Sequence, residues 1–305
     1  MLDPFQQQIL RRIAANRGPD SVFAGGGALN RDGPRLSRDL DLFHRTVAMI
    51  DAALARDLAS LRDAGFVTTR LRETATSREW LIASLDGAAT RVQWTRETSW
   101  LFFPAVPDPE FGYMLSFEDL AVNKMAAAAD RGRIRDYHDL AALDLLGVPP
   151  WVLALAAMGK DAELSPPTVL DRARRLVAQA GVDDEDPDYE GPCIPWPVLR
   201  RHMHRRLQED LDLLGRMEWI GWAGVLPIDP ATGRLALHLT PKTIEGCGKA
   251  RASLAGSWPS SPALAGEMLR AARHPALRAV RLDLDALIDP AGRAGADGAT
   301  GPDRG

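Results

Sequence analysis

The chain has 305 residues, 46% of them apolar and 26% charged, the balance of a globular protein with one large domain or two ordinary ones. A formal net charge of -4 excludes a basic footprint over the whole surface, so any nucleic-acid contact must come from a local patch. Cys193 and Cys247 are the only cysteines, too few for a disulfide framework and without a CxxC metal pattern, which suits a reducing compartment.

The N-terminus lacks a basic stretch followed by an apolar core, so no secretory signal is expected and a cytoplasmic protein is. Residues 4–16 predict a helix with Phe5, Ile9, Leu10 and Ile13 on one side. Residues 21–24 predict a short buried strand running into Gly25-Gly26-Gly27. Glycines let backbone N–H groups approach a phosphate closely. The run Arg35-Leu36-Ser37-Arg38-Asp39-Leu40-Asp41-Leu42-Phe43 follows. Its alternation predicts a half-buried strand over 39–43, with Leu40 and Leu42 toward the core. Asp39 and Asp41 then project from one face, about 7 Å apart along the strand. Two carboxylates so placed, joined by substrate phosphates, are how Mg²⁺ is usually held. These parts suggest metal-dependent phosphoryl or nucleotidyl transfer. His44 either approaches that site or caps the strand.

Residues 46–64 predict a helix on Val47, Ile50, Leu54, Leu58 and Leu61, stopped by Gly65. Three strands are expected at 66–71, 78–85 and 90–94, the last two joined by a hairpin at Asp86-Gly87. From Ser116 to about 180 the pattern is almost wholly helical, opening on a capping box of Ser116 and Asp119. Lys124 lies in a helix apolar nearly all round, so it must snorkel, pair or open into a cleft. Asp136 and Asp139, three apart, share a face of the next helix. Asp136 can supply a carboxylate to the metal site or act as a base, and Asp139 can pair with Arg135. His138 is expected to point outward. The apolar stretches near 120–129 and 151–158 are too short to span a bilayer.

Residues 183–197, rich in Asp, Glu and Pro, read as a linker. A helix is expected over 197–217, with Leu199, Met203, Leu207, Leu211 and Leu214 on one stripe. Its Arg200-Arg201-His202-Met203-His204-Arg205-Arg206 run is an RNA contact or, more plainly, a solvated face. A hairpin around 229–233, a helix near 262–272 and a strand near 277–282 complete the chain. Residues 290–305, mostly Gly, Ala, Asp and Pro, read as a disordered tail. The segmentation is a core over 1–112, a helical domain over 113–182 that completes the site, an extension of unassigned role over 195–290, and the tail from 291. The fold class is α+β: a mixed sheet core flanked by helices, then a helical region, then a smaller C-terminal α/β extension.

The glycine turn with the Arg-Leu-Ser-Arg-Asp-Leu-Asp-Leu-Phe run, followed by Lys124 and the Arg135-Asp136-Tyr137-His138-Asp139-Leu140 run, resembles the AbiEii/AbiGii toxin family. That family belongs to the DNA polymerase β-like nucleotidyltransferase superfamily, and the resemblance covers about residues 22–146. It implies a nucleotidyltransferase-like core and Mg²⁺-dependent transfer of a nucleotide from an NTP. It also implies a toxin of a bacterial toxin–antitoxin or abortive-infection system, with RNA, tRNA in some relatives, as acceptor and a cognate antitoxin as partner. Carried onto this chain, Gly25 and Gly26 form the phosphate turn, and Ser37 and Arg38 lie beside the triphosphate. Asp39 and Asp41 are the metal ligands, Lys124 contacts phosphate, and Asp136 is the late catalytic carboxylate.

Two positions depart from the pattern. Gly27 stands where superfamily members commonly carry Ser or Thr, and Gln93 stands on the strand that often supplies a third carboxylate. Alternatives therefore remain: a transferase that modifies protein, or a catalytically silent binding module with the same fold.

Overall fold

The computed structural model describes residues 1–31, 33, 35–97, 100–180, 194–254 and 256–257. Helix α1 (Pro4–Ile13) opens on a capping box: the Asp3 side chain accepts from Gln6 N, and the Gln6 side chain accepts from Asp3 N at 3.1 Å. Strand β1 (Ser21–Ala24) leads directly into α2 (Gly25–Leu29), then β2 (Asp39–His44) and α3 (Val47–Asp63). Thr46 caps α3 by accepting from Met49 N. Strands β3 (Val67–Glu73), β4 (Ser77–Ala83) and β5 (Ala89–Arg96) form an antiparallel meander, and short strands β6 (Trp100–Leu101), β7 (Val106–Asp108) and β8 (Gly112–Met114) follow.

Seven strands make one sheet in the order β3-β4-β5-β2-β1-β8-β7. β2 pairs parallel with β5 and β1 parallel with β8, while the other neighbours are antiparallel, so the sheet is mixed as expected. The pairing puts Asp41 opposite Ala24 on one side and opposite Gln93 on the other. The last residue before the glycines is thus held against the second aspartate.

Behind the sheet, α3 and the α1 end share a buried polar anchor. Asp57 accepts from Trp94 Nε1 at 2.7 Å and from Asn16 Nδ2 at 2.8 Å, and pairs with Arg17. Trp94 is fully buried. Removing an indole from water is worth on the order of 4 kcal/mol, provided its N–H finds a partner.

The second half is helical: α4 (Phe117–Asp130), α5 (Ile134–Leu145), α6 (Pro150–Ala157), α7 (Pro166–Gln179) and α8 (Trp196–Leu214). Helix α4 packs on α5, α6 and α7 and touches α2, which brings it over the glycine end of the sheet. Ser116 does cap α4, but the expected reciprocal partner does something else. The Asp119 carboxylate accepts from Phe102 N and Phe103 N, both at 3.0 Å, and pairs with Lys160 at 2.7 Å. It ties the loop after β6 to the helical layer. No single helix among the described residues is long and apolar enough to cross a membrane.

Strand β9 (Val225–Ile228) pairs with β10 (Gly248–Arg251), and β11 (Ser253–Leu254) returns to β6. The turn at 229–233 exists, with Gly233 N donating to Asp229 O, and its arms meet through Asp229 N to Arg234 O at 2.9 Å, Ala236 N to Pro227 O at 3.1 Å and an Ile228–Leu235 bridge. The strand partner comes from much later in the chain. On α8, Leu199, Met203 and Leu207 are buried and Arg200, Arg201 and Arg205 exposed, while Arg206 turns inward to Asp144 and Asp210. The helix near 262–272, the strand near 277–282, the tail from 290 and residues 183–193 of the expected linker lie outside the described residues, while its last two residues, Trp196 and Pro197, already belong to α8.

Candidate active site

Along β2, burial alternates as the sequence predicts: Leu40, Leu42 and His44 face the core, and Asp39, Asp41 and Phe43 face the other way. His44 is therefore on the opposite face from the aspartates. Its Nε2 meets Ser21 Oγ at 3.0 Å, and burial, aided by Arg17, pushes its pKa down to about 4. Asp41 faces a cleft of about 560 Å³, also lined by Gly25, Gly26, Gln93, Lys124 and Arg131.

Gly25 has φ +68, and a Cβ there would lie 1.9 Å from Asp41 Oδ2. Only glycine fits against that carboxylate. A Cβ on Gly26 would lie 2.6 Å from Arg35 Nη2 and 3.4 Å from Lys124 Nζ. Two cations thus press on the turn from one side and an anion from the other. The three glycines do not form a simple turn but open α2, whose Asn30 N and Asn30 Nδ2 both donate to Gly26 O.

Behind the turn lies a buried ionic network. Lys124 Nζ is 2.8 Å from Asp139 Oδ2 and 3.4 Å from Asp136 Oδ1. Arg35 grips Asp139 with Nε at 2.7 Å and Nη2 at 3.0 Å, and Asn30 Nδ2 adds a third donor at 2.8 Å. Arg131 grips Asp136 in the same two-pronged manner, Nε at 3.0 Å and Nη2 at 3.1 Å. Burial alone would raise both carboxyls, but Arg35 and Lys124 outweigh it at Asp139, and Lys124 and Arg131 at Asp136. Both are held below the usual carboxylate range.

Asp41 goes the other way. Burial, then the charge of Asp39, pushes it up to about 6 despite Lys124, Arg135 and Arg131. Asp39 itself meets Arg135 Nη1 at 3.3 Å. Arg135 is thus not the partner of Asp139, as the four-residue spacing suggests, but reaches across to the sheet. His138 is also not outward: it is buried, stacked on Trp196 at 6.4 Å, and burial lowers its pKa to about 4.

Gly25, Gly26, Asp41 and Lys124 meet at one cleft, with Asp39 beside Asp41 on the strand. Asp136 joins them from beneath, covered by Lys124 and Arg131. Ser37 and Arg38, like Asp39, are not among the residues that line this cleft. The Ser37 hydroxyl donates to Asp39 O at 2.7 Å, and Gln6 Nε2 donates to Ser37 O at 2.8 Å, so this loop braces the start of β2. Ser37 Oγ would lie 3.2 Å from a Cβ on Gly27, in the room that a side chain at 27 would use. Sequence reasoning missed Arg35, Arg131 and the role of Asp139. Arg131 carried a signal: it sits seven residues after Lys124, two turns along the same stripe.

Residues 8–187 match the family described as Nucleotidyl transferase AbiEii toxin, Type IV TA system. The chain belongs to the AbiEii family. The match spans the glycine turn, both aspartates, Lys124 and the α5 carboxylates, so the resemblance read from the motifs holds over most of the described chain. It makes this protein a nucleotidyltransferase toxin of a type IV toxin–antitoxin system. No curated protein matches the chain.

Proposed function

We propose that this AbiEii protein transfers a nucleotide from an NTP to an RNA acceptor, of which tRNA is the leading candidate, with Mg²⁺ as cofactor. It acts in the cytoplasm, under control of a cognate antitoxin. The observation that carries the reading is convergence: Gly25, Gly26, Asp41 and Lys124, from separate elements, line the same cleft.

The residues fit a divalent cation. Asp39 and Asp41 offer hard oxygen donors from one strand face, and burial together with the charge of Asp39, which raise the pKa of Asp41, are both effects that a cation would offset. Mg²⁺ held by two carboxylates takes its remaining oxygens from substrate phosphates and water. A bound cation would neutralise charge developing on the phosphates. Gly25 fixes the Asp41 carboxylate, since nothing larger leaves it in place. Lys124 offsets triphosphate charge from the α4 side. Transfer of this kind rests on positioning and charge neutralisation more than on covalent chemistry by the protein.

The test uses NTPs labelled at the α-phosphate, Mg²⁺ and total RNA. Label in RNA, absent with γ-labelled NTP, is expected. Label confined to protein would move the acceptor to a side chain, and no label with any NTP would overturn the reading.

A further inference from the structure

The network behind the glycine turn counts three cations, Arg35, Lys124 and Arg131, against two carboxylates, Asp136 and Asp139. The third positive charge acts on the Asp41 and Asp39 carboxylates as well. Side-chain exposure is 5% for Arg35 and 7% for Lys124, but 46% for Arg131. Arg35 spends Nε and Nη2 on Asp139. Lys124 Nζ is shared between two carboxylates. Arg131 spends only the edge bearing Nε and Nη2 on Asp136, and no described residue engages its Nη1. A guanidinium anchored along one edge presents its other edge in a fixed plane, the geometry that suits a phosphate. That side chain lines the cleft with Asp41 and the glycines.

We propose that Arg131 is the residue that grips the triphosphate, and that Asp136 is a positioning residue which holds the Arg131 fork and Lys124 in place. This rests on the NTP-dependent reading above and changes the role assigned to Asp136. A carboxylate that is 0% exposed and covered by two cations has no path to an acceptor hydroxyl. Asp136 also holds Lys124 at the rim of the glycine turn, so one carboxylate sets both cations.

Binding of tripolyphosphate and of each NTP, both with Mg²⁺, is measured by calorimetry for wild type, Arg131→Met, Arg131→Lys, Asp136→Asn and the Arg131→Met/Asp136→Asn double variant. Circular dichroism verifies folding. Arg131→Met is expected to weaken both ligands roughly 10- to 100-fold, the loss of a charge-assisted hydrogen-bonded contact. Arg131→Lys should recover part of that, keeping the charge without the fork. Asp136→Asn should weaken binding in the wild-type background and have a smaller effect beside Arg131→Met, where only its hold on Lys124 remains, the partial non-additivity of residues acting as a unit. In turnover, the Arg131 variants should raise KM for NTP more than they lower kcat.

Tripolyphosphate binding by Arg131→Met equal to wild type would overturn the inference while leaving the nucleotidyltransferase reading intact. A full additional loss of kcat from Asp136→Asn in the Arg131→Met background would also overturn it, because Asp136 would then act on its own. If Asp136→Asn fails to fold, the Arg131 variants alone decide, since that side chain is half exposed. A wild-type protein that binds neither tripolyphosphate nor any NTP would bring down the proposed function as well.

Discussion

Replacing Asp41 with asparagine removes a charge that the fold holds at a cost. In the metal-free protein its pKa stands at about 6 against an ordinary 3.8, because the carboxylate is buried and faces Asp39. Each pKa unit corresponds to about 1.4 kcal/mol, so the ceiling on the penalty is roughly 3 kcal/mol. Water in the cleft screens part of it, and about 2 kcal/mol is the figure to expect. The direction with pH follows from the raised pKa. The native state holds the Asp41 proton more tightly than the unfolded chain does. The penalty is absent below about pH 4, grows as pH rises to about 6, and is complete above that. Asp41→Asn should therefore stabilise the protein most at pH 7–8 and not at all at pH 4, while nucleotide transfer falls to background. Urea unfolding in EDTA at pH 8, 6 and 4 measures the difference. Adding Mg²⁺ should shrink the gain, because a cation that binds only the native wild type stabilises it by mass action. A variant less stable than wild type at pH 8, or a gain of the same size at pH 4, would refute this account of Asp41.

The same geometry makes further demands. Gly25→Ala places a Cβ against Asp41 Oδ2 at a backbone with φ +68, so transfer should be lost and stability should fall by about 1–3 kcal/mol. Gly18→Ala, with nothing within 4 Å, should stay within about 0.5 kcal/mol in the same urea unfolding assay. Asp139→Ala strands the buried Arg35 guanidinium and should cost about 3–5 kcal/mol in urea, where less than 1 kcal/mol would contradict the network. Mg²⁺ affinity, followed by calorimetry, should weaken as pH falls through about 6, since the proton on Asp41 competes with the metal. A flat profile from pH 8 to pH 5 would remove Asp41 from the metal site.

The aspartate strand was legible because period-2 alternation encodes both the strand and which face it turns inward; the observed burial from Asp39 to His44 follows it residue by residue. The capping box at Asp3 and Gln6 was overlooked, and the α2 helix was hidden because three glycines are poor helix formers. It forms through packing against Phe23 and Leu2 and through the Asn30 bonds to Gly26 O. The ionic network was invisible for a different reason. Arg35 and Asp139 lie 104 residues apart, and nothing local to either marks the partner. Local spacing even misled, pairing Arg135 with Asp139 when the fold sends Arg135 to Asp39. His138 went astray likewise, because a lone helical histidine says nothing about Trp196, 58 residues further on at the start of α8, stacking on it.

The claim on which the rest depends is that Asp39 and Asp41 hold a divalent cation against a triphosphate lying along the glycine turn. Crystals grown with Mn²⁺ and a non-hydrolysable NTP analogue would test it directly through the anomalous signal of the metal. The account predicts a manganese peak within coordination distance of both Asp39 and Asp41, with analogue phosphates at Gly25–Gly26 and beside Arg131. An analogue bound elsewhere on the molecule, or a metal that touches neither aspartate, would contradict it.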